Sequence, residues 1–211
     1  MRLLAIAQVT NIQGRKRISM YVERLNPDQI NMAELENFLL VNNFSVECKL
    51  LYAAAGRAFL SRKDLVKSLS FYAEAKNAAR VFSVVNSFLE SDPQLSDYEN
   101  ILAPINGSTL VSYDALVFLS RYRDFLKYRE SGSLKEAGKY LSNLFLSGSI
   151  PKEFWKHTFA DVEFLLDNEC IDEAGCLELL RILEDERQMT EPVSRLVSLR
   201  SKLVHQLAIA H

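Results

Sequence analysis

Glu153, His157 and Asp161 stand four residues apart, so one helix would carry all three on the same face. A carboxylate placed there could orient the imidazole for general acid–base work. The plain alternative is a solvated face with two local ion pairs. No serine or cysteine nucleophile is tied to the trio, and a catalytic triad needs geometry that spacing alone does not supply. Ser149-Ile150-Pro151-Lys152 matches a four-residue serine–lysine pattern, but it stands alone ahead of a helix that Pro151 would start. Cys170 and Cys176 straddle Gly175 with neither the usual zinc spacing nor a second pair. With Cys48 they make three, the sparse odd set of a reducing compartment rather than a disulfide framework. His157, His205 and His211 form no HExxH arrangement, and Gly132 and Gly138 are too isolated to cradle a phosphate. No cofactor, metal or small-molecule ligand is expected. A small helical hydrolase using His157 is the remote alternative.

Arg121, Arg123, Lys127 and Arg129 are interleaved with Tyr122, Phe125 and Tyr128. Cations alternating with rings can hold single-stranded RNA by phosphate contact and stacking. A helical period turns Tyr122 and Phe125 inward, however, and Asp124 and Glu130 dilute the charge. The whole chain has 25 basic and 27 acidic residues, a net charge of −2, and so offers no basic surplus to a polyanion. No direct nucleic-acid partner is expected. The sequons Asn43-Phe44-Ser45 and Asn106-Gly107-Ser108 matter only in a secreted protein. The opening residues lack the basic leader and cleavage site of a secretory signal, and no apolar run approaches about 18 residues.

The elements that must position these side chains read as helices throughout. Seven glycines and five prolines in 211 residues are too few for a loop-rich sandwich, and the Val/Ile/Thr runs of buried parallel strands are missing. A single unit of this length would bury roughly 70% of its unfolded surface, enough for a sizeable core. Apolar periodicity predicts helices over 2–12 (ended by Gly14), 15–25, 29–42, 46–61, 65–75, 77–90, 113–130, 134–146, 152–167, 173–189 and 193–209, with a short one near 97–103. Ser45, Asp64 and Asp172 are expected N-caps, and Ser133 with Glu136 an expected capping box. Candidate core positions are Leu50, Leu65, Leu69, Phe82, Tyr122, Phe125, Leu141, Phe154 and Trp155. The Asp64-Leu65 junction echoes the Ser133-Leu134 junction, each following a tight polar turn. That favours stacked hairpins, because one hairpin cannot bury both of its faces alone. The expected fold is all-α, an irregular stack of antiparallel helical hairpins. It is read as one continuous array over 1–211, with 92–112 the place where a boundary would fall.

The chain ends carry an apolar excess. Leu196, Leu199, Leu203 and Leu207 recur at helical spacing in 193–209, too short a stretch for a self-sufficient coiled coil. They are the candidate protein interface, the alternative being that both ends fold back on their own neighbours. Leu3, Leu4, Ile6 and Val9 begin just as abruptly.

Three stretches resemble a known family: residues 49–92, which contain Ala75-Lys76-Asn77-Ala78-Ala79; residues 118–145, with Tyr122-Arg123-Asp124-Phe125 and Lys127-Tyr128; and residues 150–166, opening on Pro151 through Trp155. Together, in order and spacing, they are similar to the tail region of the 85-kilodalton-class scaffold nucleoporin of the Y-shaped nuclear pore subcomplex. The resemblance covers about 46–187, while 1–45 fit only by position and helical texture. It implies an α-solenoid akin to vesicle-coat scaffolds, structural and non-enzymatic, at the nuclear envelope. The family's N-terminal part gives a blade to an incomplete WD-type propeller. No blade-like run of strands occurs here, so the propeller partner is not expected of this chain. The family's tail meets the other solenoid arms at the hub of the Y, and those arms are the expected partners. Pore assembly, and through it protein and mRNA transport, is the implied role. No single contact residue carries over, because the recognisable positions are mostly core. The competing reading is a stand-alone helical-repeat adaptor that takes a peptide or helix in a groove.

Overall fold

A computed structural model describes residues 12–148, 150–184 and 193–210. Among them are twelve α-helices and no strand: α1 (Ile12–Glu23), α2 (Met32–Val41), α3 (Ser45–Ser61), α4 (Leu65–Glu74), α5 (Ala78–Leu89), α6 (Leu95–Leu102), α7 (Gly107–Leu110), α8 (Asp114–Glu130), α9 (Leu134–Leu146), α10 (Trp155–Asp167), α11 (Glu173–Glu184) and α12 (Val193–Ala210). Two 3-10 turns, Pro27–Gln29 and Lys152–Phe154, precede α2 and α10. The fold is an all-α helical stack.

One turn device recurs. Asn43, Lys63, Lys76, Gly132 and Glu169 follow helices and all have positive φ, between 55° and 77°. At each, the next amide reaches back into the last turn: Phe44 N donates to Leu39 O, Asp64 N to Phe59 O, Asn77 N to Tyr72 O, Ser133 N to Tyr128 O and Cys170 N to Leu165 O. This paired bonding satisfies the carbonyls that a helix end leaves open and turns the chain sharply. Capping side chains then start the next helix. Asp64 Oδ1 accepts from Lys67 N at 3.0 Å, Asn77 Oδ1 from Arg80 N at 3.2 Å, and Asp172 Oδ1 from Gly175 N at 2.8 Å.

Several local expectations need correction. Gly14 does not end a helix; it is buried within the first turns of α1, while the predicted helix 2–12 lies almost wholly outside the described residues. Ser45 is the first exposed residue of α3 rather than its cap. Ser133 and Glu136 form no capping box, because the Ser133 hydroxyl engages Ser131 and the Glu136 carboxylate pairs with Lys139.

The chain groups into two compact units. The first holds 1–85 and 104–109, the second 86–103 and 110–211. The division therefore falls inside α5, again after Ala103, and again within α7 after Thr109.

In the first unit α3 is the central element, packed on α1, α2 and α4. Ile18 and Val22 of α1 meet Leu35 and Leu39 of α2, Phe44, and Cys48 and Leu51 of α3 in one buried cluster, with Leu50 at its edge. Leu69 is fully buried, while Leu65 and Phe82 are half-buried. The α3–α4 crossing is tight: a Cβ on Gly56 would sit 2.9 Å from the Tyr72 ring, and the buried Ser68 hydroxyl donates to Gly56 O at 3.0 Å.

The second unit is built on rings. Phe88 meets Tyr98 edge-on at 5.1 Å between centroids, Tyr98 meets Tyr122 at 5.8 Å, and Tyr122 contacts Phe118 and Phe125, each at 5.3 Å. Phe118 passes the contact on to Phe154 at 5.2 Å. Tyr122, Phe125, Leu141 and Phe154 are buried, and Trp155 is half-buried. α9 packs on α8 and α11, and α11 on α12.

Candidate functional site

The helix face proposed for Glu153, His157 and Asp161 does not form. Glu153 lies in the 3-10 turn Lys152–Phe154 and is exposed; only His157 and Asp161 are on α10. Asp161 turns inward and is 6% exposed. Its carboxylate accepts from the Tyr122 hydroxyl and pairs with the Arg129 guanidinium, both from α8. The Tyr122 hydroxyl also lies 3.3 Å from the His157 carbonyl oxygen. Burial raises the Asp161 pKa above the ordinary carboxylate value, against the opposing pull of Tyr122 and Arg129. Burial next to that carboxylate pushes the Tyr122 phenol well above its usual value. A recess of about 160 Å³ opens beside them, lined by Leu89, Leu95, Tyr98, Leu126 and Glu130 among others. This arrangement joins α8 to α10. Its donors and acceptors engage each other, and it presents no nucleophile.

The serine–lysine pattern falls at Ser149, outside the described residues. Cys176 is buried and its thiol is pushed up to about 11, chiefly by burial, and burial likewise raises Cys48. Both favour the inert thiol. No cluster of metal-ligating side chains occurs among the described residues, and none of their helices is long and apolar enough to cross a membrane.

The basic–aromatic run is engaged within the fold. Arg123 pairs with Asp124 at 2.7 Å, Lys127 with Glu99 at 3.0 Å, and Arg129 with Asp161. Arg121 reaches Ser147 Oγ at 3.3 Å. Tyr122 and Phe125 are core, and Tyr128 stacks obliquely on Tyr140 at 5.6 Å.

The candidate interface on α12 requires a correction. Leu196, Leu199 and Leu203 are 4%, 1% and 0% exposed, and Leu207 is half-buried. Their stripe packs within the unit, where α12 lies on α11 and α10. Polar contacts fix the seat: Arg195 Nε meets Glu163 Oε1 at 3.1 Å, Lys202 Nζ meets Asp167 Oδ1 at 2.6 Å, and Gln206 Nε2 donates to Ile171 O at 2.6 Å. Among the described side chains of α12, the large apolar ones left outward are Val197 and Val204, 56% and 57% exposed. They are seven residues apart, so they share one face, about a quarter-turn round the helix from the leucines. That pair was legible as an apolar i, i+7 repeat outside the leucine stripe, but the richer stripe drew the interface assignment.

Comparison with known proteins places this helical stack. The family model described as Nup85 Nucleoporin matches residues 4–185. The chain belongs to the Nup85 nucleoporin family. Over 180 residues it is 28% identical to the mouse nuclear pore complex protein Nup85 and 27% identical to the human one, in each case covering 82% of this chain and 27% of the relative. The zebrafish Nup85 is 24% identical over 205 residues, 90% of this chain and 31% of the relative. The chain thus spans about a quarter to a third of the length of these Nup85 relatives. The Nup85 match runs through α1 to α11, so it reaches into both compact units and stops short of α12.

Proposed function

We propose that this chain is a structural, non-catalytic segment of the nuclear pore scaffold at the nuclear envelope. It corresponds to the tail of the nucleoporin and binds neighbouring solenoid arms at the hub of the Y-shaped subcomplex. By holding those arms it supports pore assembly, and through it the transport of protein and mRNA. The observation that carries the reading is the reach of the Nup85 family model across nearly the whole described chain. A fold whose polar clusters tie helix to helix agrees with it. The docking contact falls on the outward side of α12, at Val197 and Val204, since Leu196, Leu199 and Leu203 are already buried.

A pull-down of the chain against each neighbouring arm of the Y-complex tests this. The wild type should retain at least one arm. A Val197→Asp, Val204→Asp double variant should lose it while keeping its circular dichroism and melting temperature. Failure of the wild type to retain any arm would sink the scaffold reading; retention by the double variant would move the contact off α12.

A further inference from the structure

The scaffold role leaves the basic run Arg15-Lys16-Arg17 on α1 unexplained. In a chain with an acid surplus, Lys16 and Arg17 are exposed and have no acid partner among the described residues. Elsewhere, Arg123, Lys127, Arg129 and Lys202 are each paired. Arg15 rests over the Phe44 ring at 5.4 Å. Two residues beyond Arg17 stands Ser19, half-buried against α3. Its hydroxyl lies 3.1 Å from the Arg15 carbonyl oxygen and 3.3 Å from Glu47 Oε1, sharing one proton between them. Glu47 is 5% exposed and has no cation paired with it among the described residues.

We propose that Ser19 is a phosphorylation site for a basophilic serine kinase, one that reads cations two and three residues before the hydroxyl, and that phosphate there releases α1 from α3. Lys16 and Arg17 occupy those two positions, with charges unsatisfied by the fold and open to a kinase's acidic groove. In the transfer, the kinase's catalytic carboxylate takes the Ser19 proton and Oγ attacks the γ-phosphorus of ATP. The Oγ–P bond forms as the bond from the γ-phosphorus to the β,γ-bridging oxygen breaks. ADP leaves with that electron pair, and the proton passes to solvent. The product carries a charge of about −1.5 to −2 where a hydroxyl had donated to a buried carboxylate. Donation is lost and two anions face each other, so the α1–α3 contact cannot re-form. Among the described side chains of α1, the fully buried apolar ones are Ile18 and Val22. Local opening of that helix presents the segment in the extended form a kinase binds. The proposal does not depend on the scaffold reading.

The test incubates the purified chain with ATP and the catalytic subunit of a cyclic-AMP-dependent kinase. Phosphate is located by peptide mass spectrometry, and α1 is followed by amide hydrogen exchange. Phosphate should appear on Ser19, vanish in Ser19→Ala and fall sharply in Arg17→Ala. Val22→Ala should raise the rate about tenfold, the factor that 1.4 kcal/mol of easier opening gives. The phosphorylated chain should exchange its α1 amides faster, and Glu47→Gln should reduce that gain by removing one of the two anions. Absence of phosphate on Ser19 in both the wild type and Val22→Ala overturns the proposal. So does a phosphorylated chain whose α1 exchange is unchanged.

Discussion

Tyr122 serves two purposes at one point. Its ring sits among Tyr98, Phe118 and Phe125, and its hydroxyl supplies the donor that a buried Asp161 carboxylate requires. Desolvation disfavours the Asp161 charge, while Tyr122 and Arg129 favour it, and desolvation wins, so the folded pKa is raised. The sign follows from proton binding. The folded state holds the Asp161 proton more tightly than the unfolded chain, so this group's contribution is fullest at low pH and declines as pH rises through the raised folded value. Tyr122→Phe removes a donor that serves the ionised form. It should cost about 1.5–3 kcal/mol at a pH above the raised folded value, where a charge-assisted bond is lost, and about 1 kcal/mol at a pH below it, where the bond is to a neutral carboxyl. Urea midpoints of the two proteins at both pH values would check this; an equal gap at each would show that Asp161 stays in one protonation state throughout. The spacing Glu153-His157-Asp161 pointed at this helix for a different reason. It offered Asp161 as a carboxylate that could orient His157, whereas the carboxylate accepts from Tyr122 and pairs with Arg129. It could not show that the partners come from α8, thirty-odd residues away, because side-chain direction on a helix is set by what packs against it.

Helices in this chain meet at glycines and turn at left-handed residues. A Cβ on Gly138 would fall 1.6 Å from the Cys170 carbonyl oxygen, so α9 can approach the segment before α11 only without a side chain there. Backbone cannot move aside as a side-chain tip can. Gly138→Ala should therefore destabilise by about 3 kcal/mol or more, read as a loss of melting temperature, despite alanine's better helix propensity. If the variant melts with the wild type, the close approach is wrong. The converse holds at Lys63, which has a φ of 61° in the turn between α3 and α4. Lys63→Gly removes the crowding of Cβ in the left-handed region and should stabilise by roughly 0.5–1 kcal/mol after glycine's own entropy is counted. A higher thermal midpoint is the expected reading. At this scale the sequence was informative about helix bodies and weak at their ends. Gly132 announced its turn, but Lys63, Lys76 and Glu169 fill the same conformation with residues that give no local signal. Tertiary packing of the flanking helices holds them there.

At the scale of the molecule, the question is which apolar surface closes each unit and which remains for partners. Leu203→Asp should unfold or strongly destabilise the second unit, because it places an uncompensated charge at a fully buried position; a cost of several kcal/mol is expected. Val204→Asp, one residue on, should leave the chemical-denaturation midpoint within about 0.5 kcal/mol of wild type, as surface changes usually do. Equal behaviour of the two would mean that α12 does not sit on α11 and α10 as described. The amino-acid order by itself settled that this chain is a succession of amphipathic helices with no strands to pair and no phosphate or metal motif. Those properties follow from local periodicity and composition, which need no knowledge of neighbours. The tertiary structure alone decided which leucine stripe is covered, where two compact units divide within α5, and that Asp161 answers to Tyr122 and Arg129. Each of those depends on which helix lies against which, and burial is a property of pairs of surfaces that no single stretch of chain encodes.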